Sequence, residues 1–544
     1  MKNIYKILFV AAAFSPLTSC TDFLDVSPDN RTELDTPGKV AKLLVSAYAT
    51  GSPAVICELS GDNFVDNNAY LPQGNFPYED LFHEELFKWK EVKASSHQDT
   101  PYYLWETSYN AIASANHVLE AIEKMEQRND WSESEKTQLS ASKGEAYITR
   151  AYNHFVLVNV FAQAYKDENE SKNDVGIPYV TKPETKVSVH YERLSVAEVY
   201  DLIEEDLKIG LPLINETTYS VPKYHFNKQA AYAFAARFYL FKRDYKEVEK
   251  WANLALGTNV STMLRDWSDS ASGISNTSIV SQRDSYFSTS KTCNFMISAT
   301  NSLFWRMFYG TRYAHNGLPS EVVSWDGSGP TWNGSLPCYR GRMYVNKGQE
   351  YGSWLFKVYE YFEFTDKIAG IGYIHTLYVP FSAEETLLCR AEAYLYLSQT
   401  EGAEYKKMAI ADLNAWSKSK QCTKELTASA VVDFYTPGKE GYVQEFHTPA
   451  SHVVPSDLKP YLDCVLHFRR IETVFDGLRW FDIKRYGIEV VHEYDKNKTR
   501  DVLTPNDVRR AIQLPQDVIS AGMEPNNRVN EKTPAGPDEL VTRR

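Results

Sequence analysis

The densest collection of side chains able to do chemistry lies between His467 and Gly487, in the run HFRRIETVFDGLRWFDIKRYG. It places Arg469, Arg470, Arg479, Lys484 and Arg485 beside Glu472, Asp476 and Asp482. Clustered guanidinium and ammonium groups are what an anion site requires. Here, however, charges of both signs recur at three- and four-residue spacing between apolar positions, as on packed helices laced with ion pairs, and mixed charge cancels an anion-attracting field. The run therefore reads as structural. Glu384-Glu385 would offer paired carboxylates for acid–base work, but Ser382-x-x-Glu385 reads as a capping box that accounts for Glu385. Asp62 and Asp66 stand in a loop with too few oxygen donors, too widely spaced, for a calcium loop. No H-E-x-x-H, G-x-S-x-G, Walker loop or dinucleotide fingerprint occurs. Beyond Cys20, the cysteines Cys57, Cys293, Cys338, Cys389, Cys422 and Cys464 are scattered with no C-x-x-C pair, so spacing supports no zinc site and selects no disulfide. No motif points to an enzyme, metal or cofactor, and none of these is expected, although a surface hydrolase stays open on the residues alone.

The remaining chemistry is aromatic. The 544 residues include 36 Tyr, 26 Phe and 11 Trp. Such rings present flat apolar faces, and Tyr and Trp add a polar edge, which suits a flat and partly apolar ligand. Trp325 and Trp332 are the leading candidates, because SWDGSGPTWNGS sets large rings among Gly and Ser in an irregular loop, where a core role is hard to see. Tyr309, Tyr313 and Tyr339 follow. In the N-terminal loops Asn67, Asn68, Tyr70, Tyr78 and Trp89 are candidates for stacking and hydrogen bonding. Trp305 alternates with Phe304 and Arg306 in Ser302–Tyr309 (SLFWRMFY), read as a strand, and is assigned to the core. Replacing Trp325 or Trp332 by alanine is expected to weaken ligand binding and leave the melting temperature nearly unchanged.

These loops need a frame, and the frame reads as helical. A helix is expected near Lys39–Tyr48, then long apolar spacings over Pro101–Met125 and Glu135–Tyr165. Ser195 and Glu198 form a capping box that opens SVAEVYDLIEEDLKIGL, and Pro212 stops it. Asn227 caps KQAAYAFAARFYLF, a three-residue turn follows, and YKEVEKWANLAL pairs with it. The same grammar recurs at 382–416, in EETLLCRAEAYLYL and YKKMAIADLNAW. Such pairs resemble tetratricopeptide repeats, although they are degenerate and too far apart for one continuous solenoid. Residues 258–380 break the pattern with aromatic-rich, aperiodic sequence, which argues against both idle linker and disorder.

The N-terminus carries an address. Lys2 and Lys6 precede the apolar stretch Ile7–Phe14, too short to span a bilayer, and Leu17-Thr18-Ser19-Cys20 has the form of a lipobox. Cleavage would leave an acylated Cys20 as the mature N-terminus, with a polar tether to Pro37. The organisation expected is therefore 1–19 signal peptide, 20–257 helical region, 258–380 loop-rich ligand-binding region and 381–544 second helical region. A net charge of −13 excludes nucleic acid as a partner and argues against adsorption to anionic lipid.

RRIETVFDGLRWFDIKRYG resembles the C-terminal signature of the RagB/SusD family, in which an E-R-x-x-E-L-x-x-E-G-x-R-W-x-D-L-x-R run is usual. Further blocks agree in order: the lipobox followed by DFLD, WETSYNAIASANHVLEAI, GEAYITRAYNHFVLVNVFAQAY, GIPYV, RLSVAEVYDLIEEDL, NKQAAYAFAARFYLFKRDY, EETLLCRAEAYL, DLN and IQLPQDVISAGMEPN. The family's E-R is Arg469-Arg470 here, and its Glu before Gly is Asp476. The resemblance implies a mainly α-helical fold with tetratricopeptide-like pairs, a few short strands and a loop-rich region. It implies a non-catalytic lipoprotein of the outer membrane that captures oligosaccharides or polysaccharides at the cell surface. Its partner would be a SusC-like TonB-dependent transporter, over which it sits as a lid. The ligand loops vary in the family, so no binding residue carries over by motif. Peptide or another nutrient on the same fold remains the alternative.

Overall fold

The structure is a computed structural model that describes residues 33–71, 76, 80–93, 97–184, 186, 189–267, 278–308, 312–322, 327–339, 343–345, 352–438 and 443–528. The leader, Cys20, Tyr78, Tyr309 and Trp325 lie outside the described residues.

The architecture is mainly α, as the periodicities predict. Thr36 caps a short helix Pro37–Leu44, which ends in a 3-10 turn Val45–Ala47. The long helices run Pro101–Glu126, capped by Thr100, and Glu133–Phe161, opened by a reciprocal Ser132/Glu135 capping box. They pack on each other, and the second packs on Val196–Gly210, which the Ser195/Glu198 box opens. Pro212 falls within a closing 3-10 turn, Leu211–Leu213. Lys228–Lys242 and Tyr245–Leu256 form one antiparallel pair, Ala383–Leu397 and Glu404–Ser419 another. Distance in sequence does not keep the pairs apart: Tyr245–Leu256 packs directly on Ala383–Leu397. The two pairs thus continue one another in space.

Among the described residues nine short strands decorate the helices: β1 (Val65–Asp66), β2 (Asn294–Thr300), β3 (Tyr313–Ala314), β4 (Met343–Val345), β5 (Ser353–Leu355), β6 (Tyr361–Asp366), β7 (Ile371–Ser382), β8 (Val490–Tyr494) and β9 (Thr499–Leu503). β7 is long enough to pair antiparallel with both β2 and β6, while β1–β3, β4–β5 and β8–β9 are two-stranded. The described part of the stretch read as a strand, residues 302–308, is not one. The Ser302 hydroxyl accepts from Phe304 N and the Asp99 carboxylate accepts from Leu303 N, so the chain turns into a 3-10 segment, Phe304–Phe308. Trp305 is buried there, in the core role expected of it.

The charged run folds as two helices, Lys459–Glu472 and Leu478–Tyr486, around Gly477. Gly477 has φ +77°, and a Cβ on it would stand 2.9 Å from Ala54 Cα, so two constraints require glycine. The charges are paired in the interior. Asp482 accepts from Arg469 at 2.9 Å and Arg485 at 2.6 Å, Arg485 reaches Glu392 at 2.7 Å, and Arg479 reaches Asp62 at 2.7 Å. Burial alone would raise the Asp482 carboxyl, but Arg469 and Arg485 outweigh it and hold it below the usual carboxylate range. The ion-pair reading of this run is thereby borne out. The capping box at Ser382 forms by half: its hydroxyl accepts from Glu385 N, while the Glu385 carboxylate turns inward to Arg237 at 3.1 Å. Glu385 is thus explained by a buried ion pair that joins two helix pairs. The six described cysteines are buried thiols without disulfides.

Candidate functional site

The pairing of β1 with β3 brings together the two irregular segments that the sequence marks as ligand loops. Asp66 faces Tyr313 across this ladder. Asp66 also caps the one-turn helix Asn67–Tyr70, accepting from Asn68 N at 2.9 Å, and its other oxygen takes Arg312 Nε at 2.8 Å and Asp495 N at 3.0 Å. Arg312 further reaches Asp495. One carboxylate therefore fixes three chain segments that are remote in sequence. Asn67 is fully buried in this joint: its N–H donates to Arg312 O at 2.8 Å and its side-chain oxygen accepts from Asn316 at 2.9 Å. Asn68 is half-buried and clasps Phe76, donating to its carbonyl at 3.1 Å and accepting from its N–H at 2.8 Å. The half-buried Tyr70 ring carries Lys498 Nζ 5.4 Å from its centroid. Asn68, Tyr70 and Lys498 thus edge a surface that combines an aromatic face with polar groups.

The other described candidates are placed in the interior, where a ring presents no face to a ligand. Trp332 is 5% exposed and packs between Phe468 (5.8 Å between centroids), His467 and Trp416. Its indole N–H donates to Gly327 O at 3.1 Å, and the ring lies over Gly329, where a Cβ would collide with it at 2.3 Å. Trp89 is sandwiched against His492 at 4.2 Å, donates to Ser60 O at 2.9 Å and adopts φ +49°. Tyr313 is buried 4.6 Å from Phe87, and Tyr339 meets Trp267 edge-on at 5.6 Å. The Gly and Ser around Trp332 serve to turn the chain tightly enough to seat its ring on the helices, not to display it.

The β6–β7 hairpin shows aromatic rings that sequence reasoning passed over. Phe362 and Phe364 are 48% and 49% exposed and Tyr373 48%. The register puts Phe362 and Phe364 on one face, opposite Ile374 and Gly372. The reverse face carries Tyr361 stacked on His375 at 5.4 Å and Tyr373, whose hydroxyl donates to Glu363 at 2.8 Å. Arg283 lies 3.4 Å above the Tyr361 ring and anchors the base of the hairpin. The signal was present in YFEFTD, where Phe alternates with acidic and polar residues at the strand period.

Among the described residues no group of three or more His, Cys, Asp or Glu is placed to hold a metal, and no helix is long and apolar enough to cross a membrane. Residues 22–240 match the SusD-like family described as starch-binding and associating with the outer membrane. A SusD-like protein of Formosa agariphila is 26% identical over 283 residues, and the match spans 49% of this chain and 49% of that protein, about half the length of each. Among solved structures, a SusD superfamily protein from Bacteroides vulgatus superposes with TM-score 0.61 at 20% identity, over 90% of this chain and 98% of that one. A SusD superfamily protein from Bacteroides thetaiotaomicron gives 0.58 at 16% identity over 91% and 100%, and a SusD-like carbohydrate binding protein from Bacteroides vulgatus 0.57 at 16% over 89% and 96%. These structural likenesses establish the fold, and the match over residues 22–240 shows that part of the chain to be similar to the SusD-like family.

Proposed function

We propose that the chain is a cell-surface lipoprotein that captures oligosaccharides or polysaccharides and passes them to a SusC-like TonB-dependent transporter, without cleaving them. The observation that carries the glycan reading is the match of residues 22–240 to a family described as starch-binding. The geometry supports it. Sugar rings carry apolar C–H faces and dense hydroxyls, and the Asn68–Tyr70 surface and the β6–β7 hairpin pair aromatic faces with amide, carboxylate and phenol groups. Tyr78, Tyr309 and Trp325, outside the described residues, belong to the same proposal on their sequence context alone. Acylation at Cys20 would hold the protein at the outer membrane, facing outward. Isothermal titration against a panel of neutral and acidic polysaccharides tests the ligand class. Affinity for at least one glycan is expected, and firm binding of peptides with none to any glycan would replace this reading by nutrient binding of another kind. Detergent-phase partitioning of wild type and Cys20→Ala tests the anchor, which predicts that only the variant stays in the aqueous phase.

A further inference from the structure

A large cleft of about 900 Å³ opens on a different part of the molecule. Its walls come from the segment 163–174 that follows the Glu133–Phe161 helix, the turn after Lys228–Lys242, residues 446–459, the end of Leu478–Tyr486 and the segment 505–510. Three of its cations have no carboxylate within 4 Å among the described residues: Arg243, Lys484 and Arg510. They are held by backbone carbonyls instead. Lys484 Nζ donates to Asn159 O at 2.6 Å and Ala162 O at 2.5 Å, Arg510 to the carbonyls of Ile483, Ile488, Leu503 and Thr504, and Arg243 to Arg485 O at 2.9 Å. Two helix C-termini supply some of those carbonyls, and each offsets about half a charge. Glu170 and Asp174 also line the cleft, Asp174 paired with Lys166 at 3.0 Å, and the cations still outnumber these carboxylates. Burial, the largest cause in each case, pushes the Lys484 ammonium down to about 7 and the Arg510 guanidinium down to about 10, so Arg510 stays charged at neutral pH while Lys484 is partly charged and gains its proton when an anion approaches. The Arg485 side chain, 6% exposed, lines the same wall and leaves its Nε without a hydrogen-bond partner, as does Arg243. A surplus of positive charge in a chain of net charge −13 calls for an anion. Beside the cations, Phe446 and the 69%-exposed Val453 supply an apolar wall.

We propose that this cleft is a second ligand site, taking the carboxylate- or sulfate-bearing unit of an acidic glycan. The anionic group faces Arg243 and Lys484, and the sugar ring lies along Phe446 and Val453. The ligand class rests on the glycan reading above; the site itself rests on the cation surplus. The test is titration calorimetry at low ionic strength with tetragalacturonate, its fully methyl-esterified neutral counterpart and a sulfated galactan tetrasaccharide. Tetragalacturonate or the sulfated sugar should bind at least tenfold tighter than the ester, and 0.5 M NaCl should abolish the preference. Arg243→Gln should lose at least fivefold of that preference with an unchanged melting temperature. Lys166→Gln, on the rim where Lys166 meets Asp174 at 3.0 Å, reads the same field if the first variant folds poorly. Equal affinity for acid and ester, or a preference that survives both substitutions, overturns the cleft proposal. If a neutral polysaccharide still binds in that case, the glycan reading stands without it; if no sugar of any charge binds, the glycan reading falls as well.

Discussion

Trp332 is where a substitution most sharply separates two accounts of the same residue. Read from its Gly- and Ser-rich neighbours it is a ligand platform, and Trp332→Ala should leave stability alone. In the fold it is 5% exposed, wedged against Trp416, His467 and Phe468, with its N–H satisfied by Gly327 O. Truncation removes the whole indole from a packed interior and leaves the Gly327 carbonyl without its donor. Large-to-small changes of a buried aromatic cost about 3–5 kcal/mol, transfer and cavity terms together. At roughly 2 cal/mol/K of unfolding entropy per residue, a chain of this length has an entropy near 1 kcal/mol/K, so the melting temperature should fall by about 3–5 °C. Differential scanning calorimetry of wild type and variant measures the fall, and glycan affinity by titration should change by less than twofold. An unaltered melting temperature with affinity weakened tenfold or more would refute the packing account and return Trp332 to the ligand surface.

Four further outcomes are expected. Asp482→Asn leaves Arg469 and Arg485, both buried, short of a shared carboxylate, and should cost about 3–5 kcal/mol at neutral pH by denaturant titration. Because the Asp482 carboxyl is held below its unfolded value, its contribution is present above the ordinary carboxylate range and lost as pH falls through the folded value; the gap between wild type and variant should therefore narrow in acid. Glu58 shows the opposite sign: burial pushes it up to about 7, so wild type should lose roughly 3 kcal/mol relative to Glu58→Gln as pH rises from 4.5 to 7, checked by urea midpoints across that window. Tyr70→Ala should weaken glycan binding fivefold or more with little change in melting temperature, and an effect on stability alone would make it a packing residue. Phe362→Ser with Phe364→Ser should leave stability within about 1 kcal/mol, since both rings are half exposed; a matching loss of glycan affinity would establish the hairpin as a sugar platform.

The helices were legible because their signals are local. Ser195 and Glu198 stand three residues apart, Asn227 precedes an apolar period, and Pro101 begins a helix whose cap is the residue before it. The ion-paired character of 467–487 was legible for the same reason, although the partners were not. Asp62, Glu392 and Glu385 approach these arginines from segments 84 to 417 residues away in sequence, and nothing local to Arg479 announces Asp62. Residues 302–308 were misread because their alternation is real but their hydrogen bonds go to the Asp99 and Ser302 side chains, which leaves no ladder to join.

The aromatics divide along the same line. Whether a ring is shown or hidden depends on what the fold brings over it. The cover for Trp332 is Trp416, His467 and Phe468, 84 to 136 residues downstream, so its flanking glycines carry no information about exposure. In the β6–β7 hairpin the reverse holds. Each strand's neighbour is the other strand, the turn is four residues long, and alternation decides which face each ring takes without any remote partner. A two-stranded ribbon projecting beyond its third strand has no layer to cover either face, so Phe362, Phe364 and Tyr373 remain in water. Aromatic rings left exposed on a local element, rather than those surrounded by flexible-looking sequence, are therefore the ones from which a ligand surface on this chain is best argued.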